Sequence, residues 1–166
     1  APKGTHWTNV SHENATWQAW AVKEMLERTP AVRPDLIVGH SGFGSTAFLR
    51  DLYPGVPILN YFEYFYRGTE SDADFRPDFP AAPGNEYRSR ARNATILLDL
   101  NTCTRGYSPT RWQHGTLPPE YRDKVEVIFD GVDTDLWRPA PPADRRVGGW
   151  TVPAGCKLVT YATRGM

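Results

Sequence analysis

Several features that would point to a particular class of protein are scarce in this sequence. The two cysteines, Cys103 and Cys156, are too few for a disulfide framework or a thiolate metal site, and they favour a reducing, cytoplasmic compartment. The formal net charge is +0, so the overall electrostatics give no reason to expect nucleic acid or an acidic membrane surface as a partner. No apolar run approaches the roughly 20 residues that span a bilayer.

Motifs for common cofactors are also missing. The sequence has no His/Cys cluster, no Walker phosphate loop and no complete dinucleotide fingerprint. The string Asp133-Thr134-Asp135 has the spacing with which some enzymes hold a divalent metal, because hard oxygen ligands suit Mg²⁺ or Mn²⁺. It follows a glycine turn and leads into a proline-rich segment, where aspartate commonly caps a turn, and we favour that capping role. We therefore expect no bound metal and no cofactor.

The apolar residues that are present fall into short runs separated by segments with helical spacing. With 40% hydrophobic and 23% charged residues, the 166-residue chain has an ordinary globular composition. Alternating strands and helices predict an α/β fold, a Rossmann-like parallel sheet with helices on both faces. The expected strands are 36–38, 56–62, 104–107, 125–129 and 157–162, and the expected helices begin near Ser11, Thr46, Asn85, Ser108 and Pro118.

The two longest helical segments also predict which side chains are buried. Ser11 is expected to cap the first helix. Two stripes at helical spacing are expected to be buried. In the first helix the stripe comprises Trp17, Ala21 and Met25 alongside Val22 and Leu26, and in the third it comprises Tyr87, Ala91, Ala94 and Leu98. Arg88, Arg90 and Arg92 then lie on a solvated face or contact a phosphate.

One stretch, 34–46, has the pattern of a ligand-binding edge. Leu36 to Val38 are compatible with a fully buried parallel strand, glycines follow, and an amphipathic segment begins at Thr46. In an open α/β sheet, ligands bind beyond the carboxyl ends of the strands, where loop amides and the positive end of a helix converge. The residues expected there are His40, Ser41, Gly42, Gly44 and Ser45.

Ser41 lies in a string, 39–43, that is close to the Gly-x-Ser-x-Gly elbow of α/β-hydrolases, with Ser41 as the nucleophile. The second glycine comes one place early. His114 is the only histidine downstream that could act as the base. A serine hydrolase is therefore a minor alternative.

Glu63 stands in a run of aromatic residues, 61–66, directly after the second strand. A carboxylate that is enclosed by aromatic rings and has no cation tends to have a raised pKa, which is how general acids and bases are made. Alternatively, Glu63 pairs with Arg67 or accepts a backbone hydrogen bond. Both interpretations are open at this point.

Five strings, taken in order, resemble family-4 retaining glycosyltransferases, enzymes of the two-Rossmann-domain GT-B architecture. They are 34–40 with its glycine loop, 61–66, 108–113, 130–139 and 163–166. The string 130–139 resembles the interdomain segment of these enzymes, with Asp130, Gly131 and Asp133 in it. Because the strings cover nearly the whole chain, this resemblance is more specific than any single motif.

The resemblance implies transfer of a sugar from a nucleotide-diphosphate donor to a glycan or lipid-linked acceptor, with retention at the anomeric carbon and no obligatory metal. This chain would supply the acceptor side. Arg164 matches the family's arginine for the donor diphosphate, and Glu63 stands where many members carry a histidine. We expect Glu63 and His40 to be catalytic, and the acceptor or sugar to contact Gly42, Gly44, Ser45 and Arg111.

The same resemblance implies a fragment. Residues 1–139 would be the acceptor-side domain without its first strand and glycine loop, 140–156 a Pro/Gly-rich interdomain linker, and 157–166 the first strand of a truncated donor-binding domain. We expect the chain to be inactive alone and to expose apolar surface through which it could self-associate. A location at the inner face of the membrane would suit a lipid-linked acceptor. A non-catalytic sugar- or nucleotide-binding module is the second alternative.

Overall fold

The structure, a computed structural model, describes residues 3–139, 146–157 and 159. Within these residues the helices are α1 (Val10–Glu27), α2 (Leu49–Leu52), α3 (Asn85–Thr102) and α4 (Arg111–Thr116), with 3₁₀ turns at Trp7–Asn9 and Pro119–Lys124. The strands are β1 (Ile37–His40), β2 (Ile58–Tyr61), β3 (Arg105–Ser108), β4 (Val125–Val127), β5 (Arg146–Val147) and β6 (Trp150–Thr151).

The first four strands form a parallel sheet in the order β1-β2-β3-β4. Its register pairs Ile37 with Ile58 and Gly106 with Val125. Because the strands are parallel, their carboxyl ends lie along one edge, and the loops that follow them meet there. The Rossmann-like α/β architecture predicted from the alternating pattern is confirmed, and His40 and Tyr61 end β1 and β2 at this edge.

One face of the sheet holds the hydrophobic core. Residues that share this face through the register, such as Ile58 and Val125, are almost fully buried. Helix α3 covers them with Ile96 and Leu100. Burying an aliphatic side chain of this size stabilises the fold by roughly 1.5–3 kcal/mol.

The opposite face of the sheet is much more open. It carries alternate residues of the strands, among them Val38, Leu59, Tyr61 and Tyr107, and none of these four is buried. Val38 is 59% exposed. The prediction of a fully buried strand at 36–38 is therefore wrong, because β1 is an edge strand that is covered on one face only.

Helix α1 forms where it was predicted, and Val22 and Leu26 of its predicted stripe pack against the core. Its buried residues are Ala15 and Ala19, followed by the partly buried Val22. Trp17 and Met25 are exposed. The prediction is wrong for Trp17, Ala21 and Met25, which are exposed, because the small side chains of Ala15 and Ala19 face the rest of the fold and the larger side chains remain outside. The predicted Ser11 cap is also wrong, since the helix begins at Val10.

Helix α3 begins at Asn85, as predicted. Its buried face is largely polar and comprises Ser89, Asn93, Thr95, Ile96, Asp99 and Leu100. Tyr87, which was expected to be buried, is exposed. The apolar spacing misled here because this helix uses hydrogen bonds, as well as apolar contact, to hold the segments packed against it.

Helix α4 is capped two residues later than predicted. Thr110, not Ser108, is its N-cap, and the Thr110 hydroxyl accepts a hydrogen bond from the Gln113 backbone N–H. Ser108 is instead the buried last residue of β3. Both Ser and Thr can cap a helix, so the sequence alone did not separate the two.

The chain divides into two compact units, 1–130 and 131–166. In the second unit, β5 and β6 form an antiparallel hairpin, which lies inside the segment predicted as a linker. Most of the predicted strand 157–162 lies outside the described residues, so the predicted domain boundaries stay a prediction. No helix in the described ranges is both long enough and apolar enough to cross a membrane.

Candidate functional site

The loop after β1 is held by Asp99, a side chain of α3 with no solvent exposure. One carboxylate oxygen accepts hydrogen bonds from the Ser41 hydroxyl at 2.9 Å and the Gly42 N–H at 3.0 Å, and the other accepts from the Thr46 hydroxyl at 3.0 Å. Burial raises the pKa of the Asp99 carboxyl, and these three donors offset part of that rise. The loop is therefore fixed near both ends by one buried acid.

Two glycines let this loop pack tightly. Gly44 has a φ of +86°, and a Cβ there would overlap the backbone carbonyl of Ala15 in α1. A Cβ on Gly39 would overlap the Thr46 side chain. Glycine is required at these places because the chain passes directly against its neighbours.

At the carboxyl edge of the sheet, the His40 imidazole and the Glu63 carboxylate are in contact. His40 Nε2 lies 3.3 Å from Glu63 Oε2, and His40 Nδ1 lies 3.0 Å from the Ser41 carbonyl oxygen. A carbonyl oxygen only accepts, so the contact with Ser41 is a hydrogen bond in which Nδ1 is the donor, and Nε2 faces the carboxylate. The two side chains are 39% and 58% exposed, so a ligand can reach them. Glu63 is therefore neither enclosed by aromatic rings nor paired with Arg67.

Two aromatic rings hold the His40 imidazole in place. The ring centroids of Phe43 and Tyr61 lie 4.9 and 5.0 Å from that of His40, both edge-on. The Tyr61 hydroxyl donates to Asp130 at 3.0 Å. Partial burial, together with the Asp130 carboxylate, raises the pKa of Tyr61 to about 12. The hydroxyl therefore remains a donor at neutral pH, and it links His40 to Asp130.

The first turn of α4 positions the backbone of Glu63. The Gln113 side-chain amide donates to the Glu63 carbonyl at 2.8 Å. Thr110 holds that amide in turn, because its hydroxyl lies 2.6 Å from Gln113 Oε1. The end of β1, the segment after β2 and the start of α4 thus converge on one accessible carboxylate and imidazole.

The sequence that builds this fold matches a known family. A family model described as "Glycosyl transferase family 4 group" matches residues 1–137, which is most of the chain. The chain belongs to the glycosyl transferase family 4 group. A search of curated proteins finds no match. Family membership gives this glycosyltransferase domain its general function and implies sugar-related substrates.

The structure brings some of the predicted site residues of this glycosyltransferase domain into contact and places others in the loop after β1. His40 and Glu63 are in contact, and Asp130 is joined to them through Tyr61. Gly42 and Gly44 shape the loop, since the Gly42 N–H points inward to Asp99. That N–H is therefore engaged within the protein, and sugar binding by the two glycines stays a prediction.

The other predicted site residues are less constrained by the structure. Ser45 is partly exposed. Arg111 is exposed at the start of α4, and its side chain forms no hydrogen bond or ion pair with any described residue. In the second unit, Gly131 has a φ of +85° and Asp133 accepts two backbone N–H bonds, from Asp135 and Leu136, both at 3.0 Å.

These two bonds confirm the capping role that was favoured for Asp133. Arg164 lies outside the described residues. No three His, Cys, Asp or Glu side chains in the described part of the chain cluster as a metal site would need.

The contacts of Ser41 argue against the serine hydrolase alternative. Its side chain is buried, and its hydroxyl donates to Asp99 and not to a histidine. His114 places Nε2 3.1 and 3.0 Å from the carbonyl oxygens of Arg122 and Val125, so it is used to join backbone segments. A nucleophilic serine needs an exposed Oγ and a base beside it, and neither is present.

Sequence reasoning missed Asp99 and Tyr61, which organise this site. Asp99 had a detectable signal, since it follows Ile96 by three positions and precedes Leu100, so a charge stands on the apolar stripe of α3. Tyr61 was noticed only as part of an aromatic run. Its partner Asp130 is 69 residues away, a separation that no local pattern can bridge.

Proposed function

We propose that this glycosyltransferase domain is the acceptor-side domain of a retaining enzyme of GT-B architecture. It would act on a sugar transferred from a nucleotide-diphosphate donor to a glycan or lipid-linked acceptor, without an obligatory metal. The observation that carries the proposal is the accessible His40–Glu63 pair at the carboxyl edge of the sheet, where ligands bind in open α/β folds. A cytoplasmic location, at the inner membrane face for a lipid-linked acceptor, belongs to the same proposal.

The chemistry of the reaction suggests a role for each member of the pair. Retaining transfer develops positive charge on the sugar ring and negative charge on the departing diphosphate. The Glu63 carboxylate can accept a hydrogen bond from a sugar hydroxyl or balance the positive charge. His40, held by Phe43 and Tyr61, contacts Oε2 of that carboxylate and orients it.

The remaining predicted residues complete the proposal. Ser45 and Arg111 would contact acceptor hydroxyls or an acceptor phosphate, since both reach solvent. Arg164 would stabilise the donor diphosphate. Asp130, Gly131 and Asp133 would belong to the segment that joins this domain to a donor-binding domain.

The test is a transfer assay on the protein encoded by the complete reading frame, with a panel of nucleotide sugars. Glu63→Gln removes the charge and keeps the shape, and we expect it to lower kcat by about 100-fold, as loss of one electrostatic contact in a transition state does. Glu120→Gln, an exposed glutamate of the Pro119–Lys124 turn, is the matched control and should leave kcat unchanged.

Two outcomes would contradict the proposal. Full activity of Glu63→Gln would remove the pair from the reaction. Turnover by the 166-residue chain alone would show that it is more than an acceptor-side domain. Saccharide binding without any transfer by the complete protein would favour the alternative of a non-catalytic sugar-binding module.

A further inference from the structure

Beside the His40–Glu63 pair, three aromatic rings form a stack that ends in solvent. The Trp112 indole packs on Tyr64 with ring centroids 5.6 Å apart and planes inclined by 25°, and Tyr64 meets Tyr66 edge-on at 5.2 Å. We call Trp112, Tyr64 and Tyr66 the aromatic platform. Although it is supported in this way, Trp112 is still 56% exposed. A large ring left in water on an ordered support is typical of a binding surface.

The platform is held rigidly from below. The Arg92 guanidinium lies 3.7 Å from the ring centroid of Tyr66, a cation–π contact. The Tyr64 hydroxyl donates to Asp72 at 2.8 Å. Partial burial and this acceptor raise the pKa of Tyr64, so the hydroxyl keeps its proton. The rings are therefore ordered before any ligand arrives, which lowers the entropic cost of binding.

Trp112 lines an open cavity of about 590 Å³ between α4 and the long loop after β2, a size suited to a small ligand. The other lining residues are Glu70, Ser71, Asp72, Asp74 and Phe75. Phe75 is 78% exposed, so the cavity has a second free ring. Apolar rings and hydrogen-bond acceptors thus line the same space.

The acidic rim of this cavity is shaped by the backbone. Asp74 accepts the N–H groups of Glu70 at 2.7 Å and Ser71 at 2.9 Å, and these bonds lower the pKa of its carboxyl. They hold Glu70 at a φ of +52°, in the left-handed region that is unfavourable for a residue with a Cβ atom. Asp74 is therefore occupied with the loop, and the Glu70 carboxylate and the second oxygen of Asp72 remain for a ligand.

Two residues of the platform are next in the chain to residues of the site already described. Tyr64 directly follows Glu63, and Trp112 directly precedes Gln113, whose side chain donates to the Glu63 carbonyl at 2.8 Å. A ligand that rests on Trp112 therefore lies against the same two segments that carry Glu63 and fix its backbone. The cavity and the site already described share these segments.

We propose that the aromatic platform, with Phe75, Glu70 and Asp72, binds one saccharide unit of the acceptor. A pyranose ring has an apolar face of C–H groups that stacks on an indole and an equatorial belt of hydroxyls that donate to carboxylates. The proposal rests on the proposed function, since it assigns the acceptor as a carbohydrate. A quaternary ammonium group could also stack on such rings. We favour the saccharide because the chain belongs to a glycosyltransferase family.

The test is a titration of the ¹⁵N-labelled chain with maltotriose, cellotriose, chitotriose and choline, followed at the indole N–H resonances. We expect one trisaccharide to shift the Trp112 resonance, and Trp112→Ala to raise its Kd at least about tenfold. Trp112→Phe, which keeps a flat ring, should raise the Kd only about threefold. Trp17→Ala is the matched control, because Trp17 is 59% exposed on α1 away from the platform.

The outcomes separate this proposal from the proposed function. It is overturned if no trisaccharide moves the Trp112 resonance, if only choline does, or if Trp112→Ala binds like the unsubstituted chain. In the complete protein, Trp112→Ala should raise the acceptor KM and leave kcat unchanged, whereas Glu63→Gln lowers kcat. If saccharide binding depends on Trp112 but no transfer occurs, the platform stands and the proposed function fails.

Discussion

Two carboxylates flank the loop after β1, and they differ in almost every respect. Asp99 lies beneath the loop with no exposure and accepts three hydrogen bonds. Glu63 lies at the outer edge with its side chain 58% exposed, beside one imidazole. Both oxygens of the buried carboxylate accept hydrogen bonds from the protein, so its role is structural. The exposed acid keeps an oxygen for a ligand, and this difference separates a structural carboxylate from a candidate catalytic one.

The largest effect we expect comes from removing the buried acid. Asp99→Ala would leave the Ser41 and Thr46 hydroxyls and the Gly42 N–H without an acceptor in a buried place, and it would leave a cavity. We expect a loss of about 3 kcal/mol or more in the free energy of unfolding, measured by urea denaturation. A loss below about 1 kcal/mol would show that the loop is not anchored by Asp99.

Asp99→Asn is the matched control, and it adds a pH dependence. Burial raises the pKa of Asp99 in the folded state above its ordinary value of 3.8, so the folded state binds this proton more tightly than the unfolded chain does. The stability contributed by this group is therefore present below pH 3.8 and is lost as the pH rises through the raised pKa. As the pH rises from 3.8 through the raised pKa, we expect the free energy of unfolding of the unsubstituted chain to fall relative to that of Asp99→Asn. A difference between the two that does not change with pH would contradict this expectation.

A smaller loss should follow from crowding the loop against α1. Gly44→Ala would place a methyl group on a residue at φ +86° and against the Ala15 carbonyl. We expect a loss of about 2 kcal/mol in the free energy of unfolding. Gly55→Ala is the control, because a Cβ there meets nothing within 4 Å, and it should change stability by less than about 1 kcal/mol. Equal effects of the two substitutions would mean that the loop is free to move.

The smallest effect on stability should come from the exposed acid. Glu63→Gln disrupts a solvent-exposed pair with His40, and such pairs contribute about 0–1 kcal/mol. We expect its thermal unfolding midpoint to stay within about 2 °C of the unsubstituted chain. A large destabilisation would place Glu63 with Asp99 as a structural group, and a loss of transfer could then no longer be assigned to catalysis.

The expectation for Glu63 shows why local pattern was insufficient. The run 61–66 suggested a carboxylate enclosed by rings, but Tyr64 packs on Tyr66 and on Trp112, and the Glu63 carboxylate remains exposed. Neighbours in sequence need not be neighbours in contact, because successive residues of an extended chain point to opposite sides. The buried acid with a raised pKa exists in this protein, but it is Asp99.

His40 lies at the carboxyl edge of the sheet, as predicted, and the local sequence pattern is sufficient to place it there. A short apolar run followed by glycines and a helical segment has few alternatives in an α/β chain, and parallel strands bring their ends to one edge. The helix starting at Asn85 and the capping role of Asp133 were likewise readable, since both follow from local chemistry. The buried faces of α1 and α3 could not be predicted from local sequence, because the face of a helix that is buried depends on what it packs against.

The amino-acid sequence by itself determined the α/β class, the order of the four parallel strands along the chain and the loop that follows β1. Those features depend on periodicity and turn residues within a few positions of each other. Only the tertiary structure decided that Asp99 is the anchor, that Glu63 meets His40, and that Trp112 stacks on Tyr64. These contacts join residues far apart in the chain, and their energies depend on burial, which has no value until the whole fold has formed.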